Sequence, residues 1–185
     1  DDFGGGMAAL DCDVDGDVDL FFTVSDGPDL LYRNDGRGYF SVDTDLPLAD
    51  DTGVSTAASQ ADFDNDGDPD LLILRQHASN QLLVNDGTGH FSLAEACACE
   101  LEFSGMGVAV GAFDEDAYPD LYLTNWGSNR LLQSYGDNSY VDMSLAAGSM
   151  PDDARSQISW GTAFVDVDLD RVEDLVVTFG YLSRL

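Results

Sequence analysis

Asp11-Cys-Asp-Val-Asp-Gly-Asp-Val-Asp19 sets a carboxylate at every second position around a single glycine, and its frame returns three times along the chain. It returns nearly intact as Asp62-Phe-Asp-Asn-Asp-Gly-Asp-Pro-Asp70. Weaker copies are Ala112-Phe-Asp-Glu-Asp-Ala-Tyr-Pro-Asp120 and Asp166-Val-Asp-Leu-Asp-Arg-Val-Glu-Asp174. The last acids of the four copies are 51, 50 and 54 residues apart, a period that signals a repeat architecture. A second landmark keeps the same register: Leu30-Leu-Tyr-Arg-Asn-Asp-Gly-Arg-Gly-Tyr-Phe40 matches Gln81-Leu-Leu-Val-Asn-Asp-Gly-Thr-Gly-His-Phe91. Arg130-Leu-Leu-Gln-Ser-Tyr-Gly-Asp-Asn-Ser-Tyr140 holds the frame with most of the turn residues replaced.

Each repeat reads as four short strands and no helix. The first strand is built of small residues, as in Gly6-Met-Ala-Ala-Leu10 and Gly107-Val-Ala-Val-Gly111. The second is an apolar run, as in Leu71-Leu-Ile-Leu74 and Leu175-Val-Val-Thr-Phe179. The third is the Leu-Leu-Tyr-Arg type, and Asn34-Asp-Gly or Asn85-Asp-Gly turns the chain into the fourth, since Asn and Gly tolerate positive φ. Four strands in about 50 residues, repeated, are the arithmetic of a β-propeller blade, and small side chains suit the crowded innermost strand. The expected fold is therefore all-β, residues 1–185 forming part of a propeller. Its repeats run over about 4–54, 55–106, 107–157 and 158–185, the last incomplete, giving about three and a half blades.

Alternate carboxylates at loop positions 1, 3 and 5 converge on one point when the backbone curls, and a glycine after the third permits the sharp turn. Hard oxygen donors in that pattern select calcium. An EF-hand would place a glutamate at position 12, where this chain has Phe22, Ile73, Leu123 and Val177, all within apolar runs. The closing acid stands at position 9, so these loops join two strands. The candidate ligands are Asp11, Asp13, Asp15 and Asp19 in the first loop and Asp62, Asp64, Asp66 and Asp70 in the second. Asn65 and Asp68 are expected to face solvent or offer main-chain carbonyls. The third loop, with Asp114, Asp116 and Asp120, has Ala112 at position 1 and Ala117 at the glycine position, and is expected to be the weakest. The fourth keeps Asp166, Asp168, Asp170 and Asp174 but carries Arg171 where glycine belongs.

These residues resemble the FG-GAP/VCBS repeat family, seen in integrin α-subunit propellers, and most closely its cartilage-acidic-protein type. The resemblance rests on Asp11 to Leu20 with Leu30 to Phe40, and on Asp62 to Leu71 with Asn80 to Phe91. It implies a seven-bladed, calcium-bound ring in a secreted or cell-surface protein used in adhesion and recognition. The third loop and Arg171 depart from the pattern.

Composition narrows the function. A net charge of −29, with seven arginines and no lysine, excludes a phosphate-backbone partner such as nucleic acid. A disordered acidic chain is also excluded, because 44% hydrophobic and 10% aromatic residues suffice for a core. Nothing in the sequence is a run of about 18 apolar residues, so no membrane-spanning helix is expected, and Asp1 to Gly6 do not read as a signal peptide. Cys12, Cys97 and Cys99 lack zinc or redox spacing and allow at most one disulfide within the chain. Antiparallel connections put the acidic loops on one face of the blades and the strand two–three turns on the other. Trp126 with Asn125 and Asn129, together with Trp160, are the candidate ligand contacts on that second face; caps on the core between blades are the alternative. The expected partner is a protein or glycan ligand, or neighbouring subunits. The expectation is a non-enzymatic recognition, adhesion or scaffold module. The propeller part of a secreted polysaccharide-active enzyme and a subunit of a surface fibre are the alternatives.

Overall fold

The computed structural model describes residues 5–48, 53–94, 105–114, 116–148 and 158–180. Among the described residues, fourteen strands fall into four antiparallel sheets, one per repeat. The first sheet holds β1 (Met7–Leu10), β2 (Asp19–Phe22), β3 (Leu30–Asn34) and β4 (Phe40–Asp43) in sequential order. The second holds β5 (Val54–Ala61), β6 (Asp70–Gln76), β7 (Gln81–Asn85) and β8 (Phe91–Leu93). In the third lie β9 (Gly105–Gly111), β10 (Asp120–Asn125), β11 (Arg130–Ser134) and β12 (Tyr140–Asp142). The fourth pairs β13 (Ile158–Val165) with β14 (Asp174–Gly180). These sheets are β-propeller blades: the first strand of each contacts the first strand of the next, β1 to β5, β5 to β9 and β9 to β13.

The core lies between blades, which is why the second strands read as unbroken apolar runs. Along β6 the side chains alternate: Leu71 and Ile73 pack with Leu83 against Ala8, Leu10, Phe21 and Leu31 of the first blade. Leu72 and Leu74 turn the other way and pack with Leu82 against Leu121, Leu123, Leu132 and Tyr140 of the third blade. A strand buried on both faces has no polar register, so period-two alternation vanishes from its sequence while persisting in its packing. Each fully buried Leu or Phe contributes roughly 1.5–3 kcal/mol, so every blade is stabilised chiefly by its neighbours. On the first blade's other face Phe22 meets Tyr32 edge to face, ring centroids 5.8 Å apart.

Crowding of the inner strands is literal. A Cβ on Gly6 would lie 2.6 Å from Ala57 Cα, and one on Gly107 would collide with the Trp160 carbonyl oxygen. Thr124 Oγ1, on the second strand of its blade, donates to that same carbonyl at 2.6 Å, and Thr56 Oγ1 donates to Gly105 O at 2.7 Å, so hydroxyls tie each of these blades to the inner strand of the next. A bulge recurs in the inner strands near Ser55/Ala57, Gly105/Gly107 and Ser159/Thr162, at the end opposite the acidic loops. Gly107→Ala is expected to destabilise by about 1–3 kcal/mol through overpacking. Gly161→Ala, whose Cβ would meet Thr178 Oγ1 at an ordinary 3.4 Å, should cost under about 1 kcal/mol. Denaturant unfolding of both variants in calcium checks the contrast.

Candidate metal loops and ligand face

Position 1 shapes each loop. Asp11 accepts from the Asp15 and Gly16 amides at 3.1 and 3.0 Å, Asp62 from Asp66 and Gly67 at 3.0 and 2.9 Å, and Asp166 from Asp170 and Arg171 at 3.1 and 2.9 Å. These bonds curl the backbone, and carboxylate oxygens of Asp11, Asp13 and Asp15 come within 4.8 Å of one another. Asp62, Asp64 and Asp66 form the same group in the second loop, and Asp166, Asp168 and Asp174 form one in the fourth. Burial, reinforced by a neighbouring aspartate (Asp15 beside Asp13, Asp66 beside Asp64), raises the pKa of Asp13 and Asp64 above the usual carboxylate range. Convergent hard-oxygen donors of this kind fit a calcium ion.

Position 9 has a second task. Asp19, Asp70 and Asp120 are buried. Asp70 accepts from Phe63 N at 2.8 Å and from Asn85 N at 2.9 Å, and Asp120 accepts from Phe113 N at 2.7 Å and Ser134 N at 2.8 Å. Asp19 likewise takes Asn34 N at 2.7 Å and Cys12 N at 3.3 Å, and also the Cys12 thiol at 2.5 Å. Each carboxylate thus ties the start of its loop to the end of the third strand. Burial pushes Asp70 up to about 7 and raises Asp120 as well. Desolvation and the hydrogen bond to Asp19 push the buried Cys12 thiol up, so it is an unreactive packing group. Cys97 and Cys99 lie outside the described residues.

In the third loop, among the described residues, no such triad forms. Ala112 cannot staple the turn, and Asp114 accepts from the Gln133 side chain. Glu173 of the fourth blade reaches across to accept from Ala112 N at 2.9 Å, a role the sequence did not announce. Its only signal is an acid at loop position 8, where the other copies have Val18, Pro69 and Pro119. Asp68 is a correction: its carboxylate packs against Gly87 in the hairpin turn of its own blade, as Asp17 packs against Gly36. The turn glycine leaves room for that contact.

On the opposite face Trp126 is half exposed in the β10–β11 connection. Trp160 is partly buried on β13, with its indole nitrogen near Gly180. Asn129 is a second correction. It is buried, its Oδ1 accepts from Asn125 N at 3.1 Å and its Nδ2 donates to Tyr122 Oη at 3.0 Å, so it closes the turn from beneath the surface rather than facing a ligand. Asn125 donates its own Nδ2 to Ser128 O at 3.1 Å within that turn.

Left-handed backbone is needed at two loop positions, of which the sequence advertised one. Position 6 has φ of 94° at Gly16, 103° at Gly67 and 77° at Arg171. Position 4 is also left-handed, at Val14 (57°), Asn65 (63°) and Leu169 (65°). For a β-branched residue such as Val14 this is costly, roughly 1–2 kcal/mol. Val14→Asn and Arg171→Gly are each expected to stabilise the calcium-loaded protein by about 1 kcal/mol, raising its melting midpoint; an unchanged or lower midpoint would contradict the strain.

Comparison with known proteins gives the family. The family model described as an FG-GAP-like repeat matches residues 11–73 and 62–123, more than half of the chain. No curated protein matches the sequence. Among solved structures, one is similar with a TM-score of 0.55 and 15% identity; it is described as the structural basis of specific recognition of non-reducing terminal N-acetylglucosamine by an Agrocybe aegerita lectin. The match covers 91% of this chain and 45% of that one, so the chain spans less than half the length of that relative. With two matched repeats in register, acidic loops between the first two strands of each blade and inner strands packed side by side, the chain belongs to the FG-GAP-like repeat family.

Proposed function

We propose that this chain is a calcium-binding recognition module of a secreted or cell-surface protein, acting by adhesion to a protein or glycan rather than by catalysis. The observation that carries the calcium reading is the repeated loop geometry: three loops gather carboxylates to within 4.8 Å and hold them with the same main-chain bonds. Asp11, Asp13 and Asp15, then Asp62, Asp64 and Asp66, and then Asp166, Asp168 and Asp174 would hold the ions, with Asp19 and Asp70 bracing the loops beneath. Asp170, whose side chain caps Val172 N at 2.8 Å, would steady the fourth loop. A bound divalent cation would supply charge neutralisation and rigidity. The face opposite the loops, where Trp126 is exposed, would meet the ligand, because exposed tryptophan is a common anchor in binding surfaces.

Like charges held this close repel, so the metal is expected to be part of folding. At free calcium about 1,000 times the dissociation constant, each independent site adds about 4 kcal/mol, against about 5–15 kcal/mol for the net stability of a typical domain. Chelation should lower the melting midpoint by tens of degrees, with magnesium restoring it poorly because it demands a tighter octahedral shell. Circular dichroism melts with calcium, chelator and magnesium check this. A chelated protein that melts like the calcium form would leave the loops as solvated acidic turns.

The metal-free protein should also depend on pH with a definite sign. Asp70 titrates near 7 in the fold, above an ordinary value of 3.8, so the folded state holds the proton more tightly than the unfolded chain. Its contribution is fully present below about pH 4 and is lost as pH rises through about 7. Asp13, Asp64 and Asp120 shift in the same direction. Chelated protein is therefore expected to melt lower at pH 8 than at pH 5, and saturating calcium to flatten the difference. Trp126→Ala should leave the midpoint within a few degrees while abolishing capture on glycan or protein arrays; a large drop with capture retained would make Trp126 a packing residue.

A further inference from the structure

Four departures from the repeat fall around the third loop, and all four line one cleft. Ala112 stands where the other loops have Asp11, Asp62 and Asp166, and Ala117 stands where the first two have Gly16 and Gly67. Tyr118 replaces the acid of Asp17 and Asp68, and its ring lies against Gly136 of the hairpin turn as those carboxylates lie against Gly36 and Gly87. The fourth departure comes from the neighbouring blade. Glu173 occupies the position that is Val18, Pro69 and Pro119 in the other loops.

The cleft has a volume of about 360 Å³ and opens among the second, third and fourth loops. Ala112, Ala117 and Tyr118 supply apolar lining, and Asp62, Asp116 and Glu173 supply carboxylates. Main-chain amides set two of these acids in place: Asp116 Oδ1 accepts from Tyr118 N at 2.7 Å and Glu173 Oε2 accepts from Ala112 N at 2.9 Å. Gly111 leaves the space for Glu173, since a Cβ there would lie 2.5 Å from that same oxygen. We propose that this cleft docks a lysine or arginine side chain of a basic protein partner.

Charge complementarity selects that class. Three carboxylates at the cleft, on a chain of net charge −29, repel an anion and attract a cation. A small ion fits poorly. The metal triads hold their oxygens within 4.8 Å of one another, whereas among the described residues Asp62, Asp116 and Glu173 form no such group. Carboxylates spread around an apolar lining match a charge carried at the end of an aliphatic stem, which covers apolar surface while its head stays among polar groups. The ring of Tyr118 adds its own attraction for a cation. This surface lies on the loop face, apart from Trp126, and does not rest on the recognition reading of the opposite face.

The test is proton–nitrogen correlation NMR on the whole chain in saturating calcium, titrated with the capped tripeptides Ala-Lys-Ala and Ala-Arg-Ala. Their neutral counterparts carry acetyl-lysine and citrulline. At least one charged peptide should shift the amides of Ala112, Ala117 and Tyr118, and its neutral counterpart should bind about tenfold more weakly or worse. Glu173→Gln and Asp116→Asn keep an oxygen for the Ala112 and Tyr118 amides while removing the charge. Each should weaken binding about threefold, and the two together about tenfold. Asp35→Asn, in the first blade's hairpin turn on the same face, should bind as the parent does, because screening confines the effect of an exposed charge to about 8 Å. The proposal is overturned if neither charged peptide shifts those amides, if the neutral counterparts bind equally, or if Asp35→Asn weakens binding as much as Glu173→Gln. That last result would make the attraction a general property of an acidic chain. Shifts that follow the calcium concentration and not the peptide would also overturn it, leaving the cleft a metal site.

Discussion

A buried aspartate at the ninth loop position holds each complete blade together. Its carboxylate accepts one main-chain N–H from the start of the loop and another from the end of the third strand, as Asp70 does with Phe63 and Asn85. Those two points lie on different strands, so the bond pair fixes where the loop begins relative to the outer half of the blade. Asn85 extends the link, donating its Nδ2 to Cys12 O of the preceding blade at 2.7 Å. Loop shape, blade shape and blade-to-blade distance are therefore coupled through one side chain. Because buried main-chain donors must be satisfied, replacing that aspartate would leave two of them unpaired.

On this frame the loops carry strain and charge that folding alone does not favour. Val14, Leu169 and Arg171 hold left-handed backbone, and the carboxylates beside them are drawn together. Strain of this kind persists when something downstream makes use of it. A bound divalent cation would relieve the repulsion and reward the curled backbone. The third loop shows the converse: with Ala112 in place of a carboxylate, its described acids form no such group, and the Ala112 amide donates instead to Glu173 of the neighbouring blade.

Contacts between blades also decide which residues are free to act. Arg33 joins the first blade to the second, pairing with Asp43 at 2.9 Å and donating to the Gly89 carbonyl. Asn129 is spent on its own turn, whereas Asp29 of the first blade and Arg75 of the second, opposite charges that compensate each other, line a cleft that neither blade has alone. The loop face thus holds the blades in shape, and the opposite face presents a mixture of polar and apolar side chains.

The sequence by itself determined the period, the four-strand blade, the acidic loops between strands one and two and the hairpin turns, because these are local. Alternating carboxylates, small inner residues and Asn-Asp-Gly turns each have a short-range physical cause that a single repeat displays. Only the tertiary structure decided what depends on a neighbour. Left-handed backbone at position 4 was hidden because Val14 and Leu169 are poor indicators of it, with Asn65 the one hint. Asn129 read as a ligand contact because a turn-closing amide and a binding amide look the same in sequence. The tasks of Asp29, Arg75 and Glu173 were illegible because each is completed by a group one blade, or about 50 residues, away, and long-range packing leaves no local pattern to read.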